Sequence, residues 1–545
     1  MARTELVRML QRMAAEHRAA DAIGLTATQV HDLPAEEVRL ALSRRDLLRG
    51  AAVVAAGATV ATALPARRAT AATPPRIAIV GAGISGLAAA LRLQDSGLAS
   101  TVYEANDRVG GRMFSNKAWD NSQVSEWGGE LIDTGHKTVQ TLARRFNLQL
   151  DDLVGAEANG SEPTYYFAGA YYPYKTATGD FAAVHNAVQK DQQTFTWPVT
   201  YGSTDTGGIA LSKLSLYDWI ETRVPGGHAS NMGKLLDVAY NIEYGGETAD
   251  QTALNLLGLL GYQPSPGNFS IFGLSDERYH IRGGNQQLPI AINNALTSKA
   301  KTGWQLTALA RNNDGTQTLT FTTSTGTKTV IADHTILALP LGVLQRINLA
   351  KAGFDSTKTG QIKNMRMGKN CKLQLQFSDR WWSTTGAWPG ISNGETYADT
   401  GYQNTWDVTR AQAGATGILV NYTGGNVAGS FNPPTPFTTE SSTQTVGWAN
   451  TFLSQLAPVL PRGSGTVWTG KAAMSAWHVN PFSYGAYSYW PVGYCHLYAG
   501  YERMRQGAVH FAGEHCSIDF QGYMEGGATE GQRAAVEVLG DYGLK

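Results

Sequence analysis

Residues 76–112 read RIAIVGAGISGLAAALRLQDSGLASTVYEANDRVGGR, and their order decides the fold. A short apolar run from Ile77 to Val80 meets Gly81-Ala82-Gly83-Ile84-Ser85-Gly86. An alanine- and leucine-rich segment of helical period follows, and Thr101-Val102-Tyr103 ends on Glu104. This pattern predicts strand, turn, helix, strand. The three glycines have separate tasks: Gly81 permits the tight turn, Gly83 admits backbone to a pyrophosphate, and Gly86 lets helix and strand pack closely. The start of the helix offers unbonded N–H groups and a positive dipole end to a diphosphate. Glu104, about 20 residues further on, is placed to accept from ribose hydroxyls. Strand, helix and acid agree with the glycines, so the stretch predicts a dinucleotide site.

The chain is long enough for two or more domains at 545 residues. Its 44 Lys/Arg balance 44 Asp/Glu; residues 1–71 hold 10 against 7, leaving 34 against 37 in the remainder. That balance gives no sign of nucleic acid as a partner. The 61 glycines and 23 tyrosines point to a loop-rich enzyme with an aromatic interior. Cys371, Cys495 and Cys516 are too few and too widely spaced for a disulfide framework or a metal knuckle, and no metal site is expected. A Cys495–Cys516 pair stays open.

Residues 1–42 read as a charged helical extension. Ser43-Arg44-Arg45-Asp46-Leu47-Leu48 then precedes an apolar segment, Ala51 to Leu64, that is too short to span a bilayer. This arrangement resembles a twin-arginine export signal, and Ala69-Thr70-Ala71 supplies a small-residue cleavage pattern. The leader is therefore assigned to 1–71, with a mature chain starting near Ala72, located in the periplasm or outside the cell and not inserted stably in a membrane.

Two further glycine pairs, Gly110-Gly111 in RVGGR and Gly128-Gly129 in EWGGELID, mark places where backbone must come close to something. Residues 147–275 mix aromatic loops with helical patterns over Leu214–Val224, Met232–Glu243 and Thr252–Leu260, which reads as a separate domain. A helix is predicted over Leu288–Ala300, and Thr335–Pro340 reads as a fully buried strand returning to the first sheet. Lys372–Phe377 alternates at period two, so one face is expected to be buried and Lys372, Gln374 and Gln376 to share the polar face. Residues 411–447 read largely as surface loops, leading into a helix from about Thr445 to Leu456.

The C-terminal stretch VHFAGEHCSIDFQGYMEGGA (509–528), taken with GAGISGLAAA, EANDRVGGR and IRGG, resembles the flavin-containing amine oxidases: monoamine, polyamine and L-amino-acid oxidases. The resemblance covers most of the chain after Arg76. It implies an α/β fold in which a Rossmann-like FAD-binding domain (72–147, 276–346 and 491–545) interleaves with an α+β substrate domain (148–275 and 347–490). It also implies that Gly81, Gly83 and Gly86 hold the FAD diphosphate, that Glu104 meets the adenosine ribose and that Arg112 lies beside the diphosphate, with Ile84, Ser85, Ala105, Arg108 and Gly111 among the cofactor-binding residues. Gly128, Gly129 and Glu130 join the cofactor set. Gly513 belongs to the same set, Glu514 accepts from a ribityl or diphosphate-side hydroxyl, and the helix beginning near Met524, after Gly522 and Tyr523, aims its N-terminus at the flavin ring.

By the same resemblance Lys372 holds a water at flavin N5, and Tyr487 and Tyr523 form an aromatic pair before the ring. These three are the expected catalytic residues. Trp381, Trp382, Trp477 and Trp490 are further candidates for the pocket wall. Ala486 stands where covalent flavoenzymes of the family carry cysteine, which implies dissociable FAD. Venom L-amino-acid oxidases place a carboxylate-reading arginine just past the second glycine pair, where this chain has Glu130, Leu131 and Ile132. The implied reaction is oxidation of a primary amine or L-amino acid to the imine, with O2 reduced to hydrogen peroxide. An L-amino-acid oxidase specifically, and a flavin dehydrogenase or desaturase using a carrier, are the alternatives. A pocket free of carboxylates is expected, since it would favour the neutral amine. A homodimer stays open.

Overall fold

Ile77–Val80 runs through the middle of a four-stranded sheet ordered Thr101–Tyr103, Ile77–Val80, His334–Leu337, Val509–Phe511, with every neighbouring pair parallel. The protein is described here from a computed structural model covering residues 74–261, 265–267, 269–385, 390–461 and 467–544. The leader, its twin-arginine segment and the cleavage region near Ala72 lie outside the described residues. All four residues of Ile77–Val80 and of His334–Leu337 are buried, as expected for parallel strands covered on both faces.

The helix Ile84–Asp95 packs against the C-terminal helix Met524–Asp541 in a shared apolar core with Leu87, Leu91, Ala534 and Val538. The approach is close enough that a Cβ on Gly531 would stand 2.0 Å from the Ser85 carbonyl oxygen. Two elements more than 400 residues apart in the chain thus form one side of the nucleotide unit.

A second four-stranded sheet joins Gly326–Ala332, Gln317–Thr323, Gln305–Arg311 and Asn348–Lys351. The last of these pairs parallel to Gln305–Arg311. Tyr494, Cys495 and Ala499 pack with Leu254, Leu257 and Trp219 in the helical core.

The large sheet has eight strands, ordered Phe437–Thr439, Trp468–Ala476, Asn370–Phe377, Gly417–Gly424, Asn404–Asp407, Ser392–Ala398, Glu162–Phe167 and Ala170–Tyr171. The helices Leu216–Arg223, Asn231–Tyr244 and Ala253–Leu260 supply much of the helical core at its side. Ser215, Ser230 and Thr252 cap them by accepting from backbone N–H groups in the first turn.

Several expectations are corrected. The helix predicted over Leu288–Ala300 spans Gln287–Ala295, because the chain then runs out to the edge of the first sheet, where Lys301 N donates to Val102 O at 2.8 Å. Residues 411–447 are not mainly loop: Gly417–Gly424 is an inner strand of the eight-stranded sheet, its Ile418-Leu419-Val420 flanked by glycine and threonine. The helix expected from about Thr445 to Leu456 spans Thr443–Leu456. The strand Asn370–Phe377 is buried on both faces. Cys371, Leu373, Leu375 and Phe377 enter an apolar core, while Gln374 Nε2 donates to Glu126 O at 3.1 Å and Gln376 Nε2 to Gln123 Oε1 at 2.9 Å. The polar face is thus closed by a segment about 250 residues upstream. Among the described residues all three cysteines are free and buried.

Candidate active site

A cavity of about 660 Å³ runs from the glycine turn at residue 81 to a group of acidic side chains around Glu277. Every residue predicted to bind the cofactor or to act in catalysis lines it except Gly86, which packs beneath the turn. A Cβ on Gly86 would lie 1.9 Å from the Gly81 carbonyl oxygen, and one on Gly81, where φ is +104°, would lie 2.4 Å from Ala338 O. Gly83 differs: no atom lies within 4 Å of its hypothetical Cβ, so the free space before it is cavity. Gly83 is also the N-cap of the helix Ile84–Asp95, with no side chain capping the first turn. Ser85 Oγ is buried there without a hydrogen-bond partner.

Glu104 receives Ala82 N at 2.7 Å and Asn106 N at 2.9 Å on its two oxygens, which fixes its carboxylate at the end of the second strand. Arg108 lies over the Phe114 ring and donates to Gly111 O at 2.9 Å; burial lowers its pKa to about 10. Arg112 Nη1 bridges Ala486 O at 2.7 Å and Glu514 Oε1 at 2.9 Å. Glu514 also accepts from Ser488 Oγ at 2.7 Å and Gly522 N at 3.0 Å. Burial works to raise this carboxyl, but Arg112 and the other donors outweigh it and hold it below its ordinary value. The Gly128-Gly129 pair approaches protein rather than open space: a Cβ on Gly128 would stand 2.0 Å from Arg112 O, and one on Gly129 3.1 Å from the Met524 sulfur.

Lys372 is buried. Its Nζ donates to Glu130 Oε2 at 2.6 Å and to Gly128 O at 2.9 Å, and lies 5.2 Å from the centre of the Trp406 ring. Glu130 accepts in addition from Trp406 Nε1 at 2.9 Å. The Glu130 carboxylate therefore fixes the lysine beside Gly128, and both line the cavity. Tyr487 Oη is 2.7 Å from Tyr422 Oη and donates to Ile242 O at 3.1 Å, whereas Tyr523 Oη donates to Glu243 Oε1 at 2.9 Å. Burial, reinforced by neighbouring tyrosines and Glu243, holds both phenols well above their ordinary pKa.

Of the four tryptophans considered, Trp477 lines the cavity. Trp381 and Trp382 pack in the core behind the eight-stranded sheet, and Trp490 lies in the helical core. Trp127, Trp304 and Trp406 also line the cavity and were not among the sequence candidates.

The expectation of a pocket without carboxylates is overturned. Glu243, Glu277, Glu395 and Asp133 lie near one another at the end away from the glycine turn, and the first three line the cavity. Burial raises Glu243 to about 7 and Asp133 to about 6; Glu277 is pushed well above the ordinary carboxylate range by burial, then by Glu243 and Asp133. Glu277 adopts φ +46°, a left-handed conformation costing a non-glycine residue about 1–3 kcal/mol, while its N–H donates to Asp133 Oδ1 at 3.0 Å. Arg410, the guanidinium on this wall, is paired with Glu157 at 2.8 Å. Glu243 ends a helix legible from its period, but nothing in the sequence marks it or Glu277 as facing the cavity.

A family model of flavin-containing amine oxidoreductases matches residues 84–539. The chain belongs to that family. Among relatives of this flavin-containing family, the L-amino-acid oxidase of Mus musculus is 23% identical over 499 residues, covering 86% of this chain and 71% of the relative. A flavin-containing amine oxidase of Danio rerio is 22% identical, covering 85% of each chain. Cyclohexylamine oxidase from Brevibacterium oxydans IH-35A superposes with a TM-score of 0.71 at 19% identity, covering 86% of this chain and all of that one. A structure of putrescine oxidase bound to putrescine gives 0.69 at the same identity, covering 86% of this chain and 99% of that one. The fold is that of the flavin amine oxidases, and the enzyme is an FAD-dependent oxidoreductase acting on amines. The site suits FAD: uncapped helix N–H groups, the bare Gly83 face and the unpartnered Ser85 hydroxyl all meet at one end of the cavity.

Proposed function

We propose that the mature protein is an exported oxidase that converts a cationic amine to its imine and passes the electrons to O2, forming hydrogen peroxide. The observation that carries this reading is the single cavity in which the glycine turn, Lys372, Tyr487 and Tyr523 meet the acidic wall. FAD, held without a covalent bond by the glycine turn, Glu104, Arg112 and the start of the helix Met524–Asp541, supplies the two-electron chemistry. The protein's part is to bind, orient and desolvate. Tyr487 and Tyr523 offer apolar ring surface to the substrate, and their anchored hydroxyls fix the ring planes. Lys372, fastened by Glu130, keeps an ammonium donor at the middle of the cavity wall, and we assign it the water-holding position beside the flavin ring.

The acidic wall favours an amine bearing further positive charge over a simple amino acid, since Arg410 is already paired with Glu157. An L-amino acid is the second reading, favoured by the presence of Arg410 in the cavity and by the names of several relatives. Export rests on the twin-arginine pattern at Arg44-Arg45.

The test is anaerobic. Benzylamine, 1,4-diaminobutane and L-arginine are added in turn to the purified flavoprotein, and the oxidised flavin band is followed. Bleaching by the diamine, with colour and peroxide returning on admission of air, is the expected result. Bleaching by L-arginine alone would select the amino-acid reading. Bleaching by none would remove the oxidase.

A further inference from the structure

Glu243 sits in the last turn of the helix Asn231–Tyr244, where its carboxylate lines the cavity and accepts from Tyr523 Oη at 2.9 Å. Tyr523 is in turn the N-cap of the helix Met524–Asp541, at the cofactor end. Glu243 is therefore the carboxylate of the acidic wall tied directly to the aromatic pair. An amine arriving at neutral pH is an ammonium, with no lone pair to release as the carbon–hydrogen bond breaks, and must lose a proton inside a dry cavity.

We infer that Glu243 receives the substrate's ammonium and takes its proton. This rests on the amine oxidase reading above. The step is R–CH2–NH3⁺ with Glu–COO⁻ giving R–CH2–NH2 with Glu–COOH: one N–H bond breaks, one O–H bond forms, and no electrons are transferred between the partners. Tyr523 orients the carboxylate through its hydroxyl. The groups that face Glu243 are Tyr523, Tyr487 and Tyr422, the helix's own Tyr240 and Tyr244, and the acids Asp133 and Glu277; among the described residues no cation acts on it. Burial and the neighbouring Glu243, Asp133 and Glu395 push Glu277 well above the ordinary carboxylate range, and Asp133 does not line the cavity, so Glu243 is the cavity-lining acid whose acceptor oxygens stand beside Tyr523.

The test compares wild type with Glu243→Gln, both as FAD-loaded full chains. With the amine that bleaches wild type, anaerobic flavin bleaching in the variant is expected to be about 100-fold slower at pH 7, within the usual contribution of a positioned base. It should converge on wild type toward pH 10, near the pKa of a free alkylamine, where the amine arrives neutral. Equal slowing at every pH, or no slowing, would overturn the inference while leaving the oxidase intact. A second readout does not use turnover: tert-butylamine has no hydrogen on the carbon bearing nitrogen, so it binds without being oxidised. Its affinity, measured by calorimetry, is expected to rise through pH 7 in wild type and to be flat across that range in Glu243→Gln; identical profiles would also overturn it. If no amine bleaches wild type, the oxidase reading fails first and takes this step with it.

Discussion

Lys372 Nζ lies 2.6 Å from Glu130 Oε2, both side chains under 10% exposed, joining the eight-stranded sheet to the glycine-rich segment that follows the nucleotide motif. A buried pair of this kind is costly to halve, because the survivor is left charged and alone. Lys372→Met is expected to lose about 3–5 kcal/mol in denaturant unfolding, and Lys372→Met with Glu130→Leu to recover most of it. Additive losses would show that the two do not act as a pair. In the single variant FAD is expected to stay bound while flavin reduction or reoxidation slows.

Gly83 and Gly86 are three residues apart in helix-forming sequence yet predict opposite outcomes. Gly86→Ala drives a Cβ into the Gly81 carbonyl and should destabilise the protein with or without cofactor. Gly83→Ala meets no protein atom, at φ −72°, so the apoprotein's melting temperature should be unchanged. FAD affinity should fall by about tenfold or more, the equivalent of a 1.4 kcal/mol clash. Fluorescence titration of apoprotein with FAD distinguishes the two.

Ala486 O receives Arg112, and no thiol is present at this position. FAD is therefore expected to leave with acid: precipitation should release all the yellow colour into the supernatant. A flavin-labelled peptide after proteolysis would contradict this.

The raised pKa of Glu243 also has a sign in stability. Below about pH 4.5 both folded and unfolded forms hold the proton, and burial carries no penalty. As pH rises toward the folded value of about 7, the unfolded chain gives up its proton while the folded one keeps it, so stability falls with pH. Glu243→Gln removes this loss. The variant should match wild type at pH 4.5 and exceed it by on the order of 3 kcal/mol at pH 8, from a shift of about 2.5 pH units. Equal stability at both pH values would refute the assignment.

The nucleotide half of the site was legible because its signals are local. Gly81, Gly83, Gly86 and Glu104 fall within one strand–helix–strand unit, and the turn's geometry dictates their types. The acidic wall was illegible for the opposite reason: Glu243, Glu277 and Glu395 come from three separate segments, each an ordinary surface residue by local pattern. Lys372 shows the intermediate case. Its strand period was correctly read, but the partners that bury its polar face, Glu126, Gly128 and Glu130, lie some 240 residues earlier, beyond the reach of any periodicity. The same holds for Gly417–Gly424, whose apolar core of three residues is masked by flanking glycine and threonine.

The strand order of the first sheet sets a schedule for biosynthesis. Ile77–Val80 emerges early from the ribosome, but its neighbour His334–Leu337 comes some 250 residues later, and Val509–Phe511 and the helix Met524–Asp541 later still. Contacts this distant in sequence form slowly, after the chain has closed very long loops. The glycine turn after Ile77–Val80 must wait, half-walled, until Asp541 has been translated.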